Sequence, residues 1–337
     1  MDSLTHLALG AAVGVAVLGR RTPVWKAALV GAVCNTLPDL DVFIDQGDPV
    51  SNMTLHRAGS HALFWLTLVS GPIAWCAARL AHERDRFRRW WLAVWLALVT
   101  HPLLDSLTIY GTQLLLPYSD APVGLGSVFV IDPLVTLPLV VGVVAALRWR
   151  APRGLAWNRT GLLLCGAYLA WSVAAQAWVR ERALEALLAQ GVSRPAHLLV
   201  TPAPFSTLLW RVVAVTRDER RYVEGFRSLL DAADQPWRFD TFDRGARFLP
   251  DERARGWHLQ RMLWFTRGLW RLQRLPDGDL VLTDLRMGQE PGYTFAFRLP
   301  PRGSAPLPQS VGGRTDVERG LRWLARRTFG ADLPPPR

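Results

Sequence analysis

Six apolar stretches in the first half of the chain constrain its fold more than any other feature. Each is close to the length of about 20 residues that a helix needs to cross the ~30 Å hydrocarbon layer of a membrane. The stretches cover roughly residues 4–19, 24–43, 61–80, 90–107, 130–147 and 160–179. The pattern predicts an α-helical polytopic membrane protein with about six spans.

Charged residues divide the chain into two unlike parts. Residues 1–179 contain 13 Lys and Arg and 10 Asp and Glu, whereas residues 180–337 contain 26 and 18. The second density is usual for a soluble domain. Runs such as LLWRVVAVT, MLWFTRGLWRLQRL and YTFAFRLP indicate β-strands, and PDGD at 276–279 indicates a hairpin turn. We therefore expect a transmembrane module at 1–179 and a soluble α+β or mostly-β domain at 180–337, which ends in a proline-rich tail.

The excess of basic residues bears on the partners of the protein. The formal net charge of +11 divides, by the counts above, into +3 for the first part and +8 for the second. No zinc-finger, RRM or basic-helix motif accompanies it, so we expect no nucleic-acid partner. Attraction to anionic membrane lipids explains the charge more simply. No motif identifies a protein partner for the C-terminal domain.

The basic residues of the first part lie in alternate loops. The loops between stretches 1 and 2, 3 and 4, and 5 and 6 hold 12 of its 13 Lys and Arg residues, and the two opposite loops hold only Arg57. By the positive-inside rule, the basic loops face the cytoplasm. Asp2 precedes the first stretch and Arg20 follows it, which is the reverse of a signal peptide, so this stretch is expected to be an uncleaved span. With six spans, the C-terminal domain is expected to be extracytoplasmic.

Histidines and carboxylates collect at the opposite ends of the stretches, where they would meet at the outer membrane face. Ionisable groups are costly in a membrane and mark functional sites there. Neutral imidazole and carboxylate are ligands of Zn²⁺, Mn²⁺ and Fe²⁺. We therefore predict a site for one or two divalent ions, with Zn²⁺ the first choice and Mn²⁺ or Fe²⁺ the alternatives. The candidate ligands are His6, Asp39, Asp41, His56, His61, His101, Asp105 and Asp132, and one of Asp39 and Asp41 is expected to be an ordinary loop acid.

Some of these residues are also candidates for catalysis. Asp39, His101 and Asp105 are the predicted catalytic residues, and one of them would be the general base. Because His101 and Asp105 are four residues apart, they share one face of a helix. The polar loop that follows could supply substrate contacts from Tyr110 and Gln113, or it could be an interfacial loop anchored by Tyr110 and Tyr118, the more common use of tyrosine there. Candidate substrate contacts also include the isolated basic residue Arg57.

Several of these residues also have a structural interpretation. His101 could donate a hydrogen bond to a carbonyl group. Asp105 could cap a turn or pair with Arg57. Asp132, just before a proline, suits a helix N-cap, and this is the interpretation that we favour for it. For the set as a whole, the collection at one membrane face favours a shared metal site.

The motifs also resemble those of a known family. MDSLTH, LPDLD, HRAGSH and THPLLDSLTIYGTQLL, in this order, are similar to motifs of the YdjM-like predicted membrane-bound metal-dependent hydrolases of bacteria. The resemblance covers approximately residues 1–145. It implies a multi-pass protein of the bacterial inner membrane with a divalent-metal hydrolase site. By motif, that site carries over to six predicted ligands, His6, Asp39, His56, His61, His101 and Asp105.

The function predicted from these features is metal-dependent hydrolysis of an ester or phosphoester, of a lipid or lipid-linked substrate, at the outer face of the membrane. One alternative is a transporter that relays ions or protons, which predicts ionisable groups at several membrane depths. A second alternative is a structural module in which the metal holds helix ends together while the C-terminal domain binds a partner. A closed ligand set with no position for water would favour the structural module.

Overall fold

The computed structural model describes residues 1–149, 151–251, 256–300, 307–313 and 316–337. Its α-helices are α1 Ser3–Leu18, α2 Val24–Thr36, α3 Pro49–Leu55, α4 Leu63–Leu80, α5 Phe87–Ser106, α6 Pro133–Arg148, α7 Arg153–Ala189, α8 Trp257–Thr266 and α9 Val317–Thr328. Short 3-10 helices cover Pro38–Phe43, Gly59–His61, Arg84–Arg86 and Ala246–Phe248. Arg150, one of the basic loop residues, and residues 301–306 of the proline-rich tail lie outside the described residues.

The strands lie in the C-terminal part. They are β1 His197–Pro202, β2 Leu209–Val215, β3 Arg221–Ser228, β4 Phe239–Asp243, β5 Trp270–Arg274, β6 Leu280–Asp284, β7 Gly288–Gln289, β8 Gly292–Tyr293, β9 Ala296–Leu299 and β10 Gln309–Ser310. One sheet has the order β1-β2-β3-β4, a second has β10-β9-β6-β5, and β7 pairs with β8. All the pairs are antiparallel. A β-sheet domain with some helices agrees with the expectation for this part.

Contacts separate the described residues into two compact units. Unit 1 contains Met1–Ile44 and Arg57–Val173, and unit 2 contains Asp45–His56 and Ala174–Arg337. Within unit 2, the inserted segment is held by α8, because Arg261 donates hydrogen bonds to the hydroxyl and carbonyl oxygens of Thr54 at 3.1 and 3.2 Å. No hydropathy feature marks this insertion, and the predicted domain boundary at residue 180 stays a prediction.

Small residues allow α1 and α2 of unit 1 to pack with their backbones in contact. A Cβ added at Gly10 would lie 2.2 Å from the carbonyl oxygen of Gly31, and one added at Gly14 would lie 2.2 Å from that of Ala27. Glycines four residues apart are a motif by which membrane helices approach closely. Because the two helices are antiparallel, the beginning of α1 lies beside the end of α2.

The expectation of about six spans is wrong. Among the described residues, two helices are long and apolar enough to cross a membrane, namely α4 with 18 residues and α7 with 37. Helices α1 and α6 have 16 residues each and α2 has 13. At ~1.5 Å per residue, even the 16-residue helices rise only about 24 Å. The apolar run at 24–43 is divided because Pro38 begins a 3-10 helix, and α5 carries two arginines in its first turn, at Arg88 and Arg89.

The outer surface of unit 1 is nevertheless strongly apolar. On α6, one exposed face is formed by side chains that are each at least half exposed, at Leu134, Leu137, Val141, Val144 and Leu147. Their spacing of three or four residues follows the helical repeat. A contiguous apolar surface of this kind indicates contact with lipid or with another protein.

Unit 2 departs from the sequence prediction at one run. The segment MLWFTRGLWRLQRL, expected to form a strand, divides into the end of α8 and the strand β5. Arg267 and Gly268 make the turn between them with φ angles of 52° and 84°. The hairpin expected at PDGD is present, and it joins β5 to β6 with Gly278 at φ 94°.

Candidate metal centre

Helix ends within unit 1 bring five of the predicted ligands together. His6 lies near the beginning of α1, Asp39 in the 3-10 helix after α2, His61 directly before α4, and His101 and Asp105 in the last turns of α5. Four of these side chains are fully buried, whereas that of Asp39 is 24% exposed. Asp39 therefore lies on the side of the cluster that is open to the surroundings.

The hydrogen bond of His101 determines which of its ring nitrogens is free. Its Nδ1 lies 2.5 Å from the carbonyl oxygen of Asn35. A carbonyl oxygen only accepts hydrogen bonds, so Nδ1 carries the proton and donates it. In the neutral ring, Nε2 then presents a lone pair, which is the arrangement that protein histidines use when they bind metal.

A short chain of hydrogen bonds orients His61 in the same way. The hydroxyl of Ser60 donates to Oδ2 of Asp41 at 2.5 Å and lies 2.9 Å from Nδ1 of His61. Because the single hydroxyl proton goes to the carboxylate, Nδ1 of His61 is the donor to Ser60. The lone pair of His61 is therefore also on Nε2.

The two Nε2 atoms face each other. Nε2 of His61 lies 3.1 Å from Nε2 of His101. Oδ1 of Asp39 is 3.4 Å from both nitrogens, and Oδ2 of Asp105 is 3.6 Å from the first and 3.3 Å from the second. Four electron-pair donors converge on one point, which is unfavourable unless a cation lies among them.

The spacing of these four atoms fits a tetrahedral metal ion. Bonds of about 2.0–2.2 Å to nitrogen and carboxylate oxygen place tetrahedral ligand atoms about 3.3–3.6 Å apart. The five distances above range from 3.1 to 3.6 Å, and all four atoms lie within 4.8 Å of one another. The cluster of Asp39, His61, His101 and Asp105 could therefore hold a divalent ion.

The other oxygen of Asp105 has a different set of neighbours. Oδ1 lies 3.3 Å from Nε2 of His6 and 3.2 Å from Nη2 of Arg57, and it accepts from the amino group of Met1. The ring of His6 stacks on that of His101 with centroids 3.7 Å apart. His6 therefore lies beside the cluster, where it contacts the oxygen of Asp105 that is not one of the four convergent donors.

The remaining candidates occupy various positions. His56 is the residue after α3, in the segment of unit 2, and the four-residue cluster does not include it. Tyr110 lies under the guanidinium of Arg57, and the backbone N–H of Gln113 donates to the carbonyl of Arg57 at 2.9 Å. Asp132 caps α6 as predicted, because its side chain accepts from the N–H of Leu134 at 3.0 Å.

Sequence reasoning did not predict which residues orient the two histidines. Asn35 contributes its backbone carbonyl, which no side-chain pattern can reveal. Ser60 directly precedes His61, and Asp41 follows Asp39 by two residues. Their positions beside predicted ligands were the available signal, since metal-binding histidines commonly hydrogen-bond to a carbonyl or carboxylate through the second nitrogen.

Fold and site together define a membrane protein with a helical unit that carries a buried His/Asp cluster suited to a divalent ion. Comparison with known sequences shows the family to which this chain belongs. The family model described as YdjM inner membrane protein matches residues 1–179, and the chain belongs to that family. All four residues of the cluster lie within the matched range.

One curated relative is the uncharacterized protein YfhP of Bacillus subtilis (strain 168). It is 26% identical over 179 residues, which are 50% of this chain and 53% of YfhP. The chain thus matches about half the length of that relative. No solved structure matches the chain.

Proposed function

We propose that this protein is a metal-dependent hydrolase of the inner membrane that cleaves an ester or phosphoester of a lipid or lipid-linked substrate. The observation that carries the proposal is the convergence of two imidazole nitrogens and two carboxylate oxygens at a buried point, where five of their separations are 3.1–3.6 Å. Their spacing favours Zn²⁺, and Mn²⁺ or Fe²⁺ accept the same ligand types.

The four donors divide by exposure into two roles. His61, His101 and Asp105 are fully buried, and two histidines with one carboxylate form a ligand set found in hydrolytic zinc sites. A bound ion would supply activation of water and polarisation of the scissile bond. Asp39, on the open side, accepts the proton of the attacking water as general base. Asp41 and Ser60 keep His61 in the required tautomer.

The surroundings of Asp39 support a lipid substrate. In the 3-10 helix and the residue that follows it, four large apolar side chains are more than half exposed, at Leu40, Val42, Phe43 and Ile44. An exposed apolar turn is unfavourable in water and favourable in the membrane interface. A groove with an almost wholly apolar lining also runs along α1, α2 and α6, between residues that include Leu4, Trp25 and Leu147.

The distribution of charge in unit 1 supports a site at the outer face. The ends of α1, α4 and α6 that lie away from the cluster are followed or flanked by basic residues, as are the beginnings of α2, α5 and α7. Basic residues mark the cytoplasmic side. The placement of the C-terminal domain depended on six spans, and with that count overturned it is not part of the proposal.

One observation favours a structural metal instead. Four protein ligands already complete a tetrahedron, whereas a catalytic zinc site usually keeps one position for water. Under this alternative, Asp39 would be a permanent ligand, and the ion would only hold the ends of α2, α4 and α5 together.

The variant Asp39→Asn, with His101→Ala as its comparison, separates the two functions. If Asp39 is the base, the asparagine variant keeps most of its metal, measured by elemental mass spectrometry, and loses about 100-fold or more of the hydrolysis of phosphomono-, phosphodi- and carboxylic ester lipids. His101→Ala loses the metal itself. Equal loss of metal in both variants, with no hydrolysis by the wild type, would establish the structural alternative.

A further inference from the structure

We propose that Arg57 binds an anionic phosphoryl oxygen of the substrate beside the metal centre, so that the substrate is a phosphoester and not a carboxylic ester. This inference rests on the proposed function and narrows its substrate class. Unit 1 has an unusual feature, a buried guanidinium in contact with Asp105 of the cluster.

The guanidinium of Arg57 contacts three neighbouring side chains. Arg57 is 5% exposed, and its Nη2 lies 3.2 Å from Oδ1 of Asp105. Nη1 makes a long contact of 3.4 Å with the hydroxyl of Thr108, and the carbon of the guanidinium lies 4.9 Å from the ring centroid of Tyr110. Within the part of the chain that the structure describes, Nε is buried without a hydrogen-bond partner. A buried donor of this kind is costly unless a ligand completes its bonding.

The backbone at Arg57 is held in a conformation that needs support. Its φ angle is 63°, in the left-handed region that residues other than glycine seldom occupy. The N–H donates to Oδ2 of Asp41 at 3.1 Å, and the carbonyl accepts from the N–H of Gln113 at 2.9 Å. Strained backbone that is fixed from both sides is typical of functional sites. Here the hydrogen bonds set the direction in which the arginine side chain leaves the chain.

Charge gives the guanidinium a role once an ion binds. Asp105 is the carboxylate that pairs with Arg57, and its other oxygen is one of the four convergent donors. A divalent ion bound by Asp105 would withdraw much of the negative charge that Arg57 faces. A buried cation beside another cation is unfavourable, so the loaded site would attract an anion.

The chemistry of the two ester classes then separates them. A phosphoester carries at least one negative oxygen at neutral pH, and the planar guanidinium matches phosphate oxygens with two parallel donors. A carboxylic ester carries no charge to balance Arg57. In the hydrolysis, the oxygen of water forms a bond to phosphorus, the bond from phosphorus to the ester oxygen breaks, and the released alkoxide takes up a proton. Arg57 neutralises the non-bridging oxygens throughout.

The inference is tested by measuring how tightly the zinc-loaded full-length protein, in detergent, binds inorganic phosphate and dihexanoyl phosphatidate. Calorimetry would compare the wild type with Arg57→Gln and Arg57→Lys, and with Arg79→Gln as a control, because Arg79 lies in the last turn of α4 over Trp75. We expect Arg57→Gln to weaken the binding of at least one of the two probes by about 10- to 100-fold, the usual range for a hydrogen bond to a charged group. Arg57→Lys keeps the positive charge but loses the two parallel donors, so its affinity for the probes should be intermediate. The zinc content of the Arg57 variants and the probe affinity of the Arg79→Gln control should be unchanged.

The two probes distinguish the source of the phosphate. Tighter, Arg57-dependent binding of phosphatidate would identify a lipid headgroup, and equal or tighter binding of inorganic phosphate would identify a free phosphate compound. Arg57-dependent binding without hydrolysis of any ester would leave the inference standing and remove the proposed function. Wild-type affinity for both probes in Arg57→Gln would overturn it. Should that variant fail to elute as a folded protein, wild-type affinity in Arg57→Lys would overturn it equally.

Discussion

Both units of this protein bury charged groups, but they satisfy them in opposite ways. In unit 2, Arg211 donates to Glu224 at 2.7 Å and to the carbonyl of Leu285 at 2.8 Å, and the other oxygen of Glu224 accepts from Arg337 at 2.7 Å. Donors and acceptors alternate in this network. In unit 1, acceptors face acceptors within the cluster of Asp39, His61, His101 and Asp105.

The difference distinguishes buried polar groups that stabilise the fold from buried polar groups that are suited to bind a ligand. Each carboxylate of the unit 2 network accepts from an arginine or a hydroxyl, and burial together with Tyr293 and Glu290 raises the pKa of Tyr222, so its hydroxyl stays protonated and donates to Glu290. In the cluster of unit 1, by contrast, the lone pairs of four acceptors converge on one point. The comparison predicts that substitutions in unit 1 change metal binding and that substitutions in unit 2 change stability.

The largest expected effect is on metal content. His101→Ala removes one of the two imidazole ligands, and we expect at least a 100-fold loss of affinity for Zn²⁺, because the three remaining donors no longer surround the ion. Elemental mass spectrometry after dialysis measures it. His82→Ala is the matched control, since this histidine is exposed and should leave the content unchanged. Equal metal in both variants would contradict the assignment.

The network of unit 2 provides the converse experiment. Glu224→Ala leaves Arg211 buried without its carboxylate, and breaking a buried pair costs about 3–5 kcal/mol. Thermal unfolding of the purified protein should shift accordingly, with zinc content unchanged. A stable variant that loses its zinc would mean that the two regions do not differ in the way described.

Packing of unit 1 can be tested at its glycines. Gly10→Ala places a Cβ 2.2 Å from the carbonyl oxygen of Gly31, and overpacking of this kind costs about 1–3 kcal/mol. Gly71→Ala in α4 is the matched control, because no atom lies within 4 Å of an added Cβ there. Thermal stability in detergent should fall for the first variant and be unchanged or higher for the second. Similar stability in both would argue against close packing of α1 and α2.

A smaller effect is expected at the inserted segment of unit 2. Asp48 caps α3 by accepting from the N–H groups of Val50 and Ser51 at 2.9 and 3.0 Å, and loss of an N-cap costs about 1 kcal/mol. Burial raises the pKa of Asp48, but the hydrogen bonds from Ser51 and the charge of His258 outweigh it, so the net pKa is lowered.

Asp48→Ala should therefore speed hydrogen exchange in α3 at neutral pH. Because the folded pKa is lowered, the contribution of Asp48 is present above the unfolded pKa of about 3.9 and disappears as the pH falls through the folded value. Faster exchange in the variant that persisted unchanged below that range would contradict a role for the ionised carboxylate.

The sequence predicted the clustering of His and Asp side chains better than it predicted the membrane topology. Spacing alone placed His101 and Asp105 on one helix face, and the placement of acidic residues and histidines at alternate ends of apolar runs indicated one cluster. Hydropathy overestimated the spans, because it measures composition and not helix length. The run at 24–43 predicts one span, whereas α2 ends at Thr36 and Pro38 begins the 3-10 helix that presents Asp39.

Other features had no sequence signal. The carbonyl of Asn35 acts through the backbone, and the assignment of residues 45–56 to unit 2 depends on contacts with residues some 200 positions away, such as Arg261 with Thr54. Strand order and the pairing of Arg211 with Glu224 are likewise set by tertiary packing. Such features follow from packing and not from local periodicity.

The measurement that tests the central claim most directly is X-ray absorption spectroscopy of the full-length protein after dialysis against zinc. We predict one ion with two imidazole ligands and one or two carboxylate oxygens at about 2.0–2.2 Å, and loss of this signature in a variant with both His61 and His101 replaced by alanine. A zinc ion coordinated by oxygen alone, or an unchanged spectrum in the double variant, would contradict the claim that this cluster is a metal site.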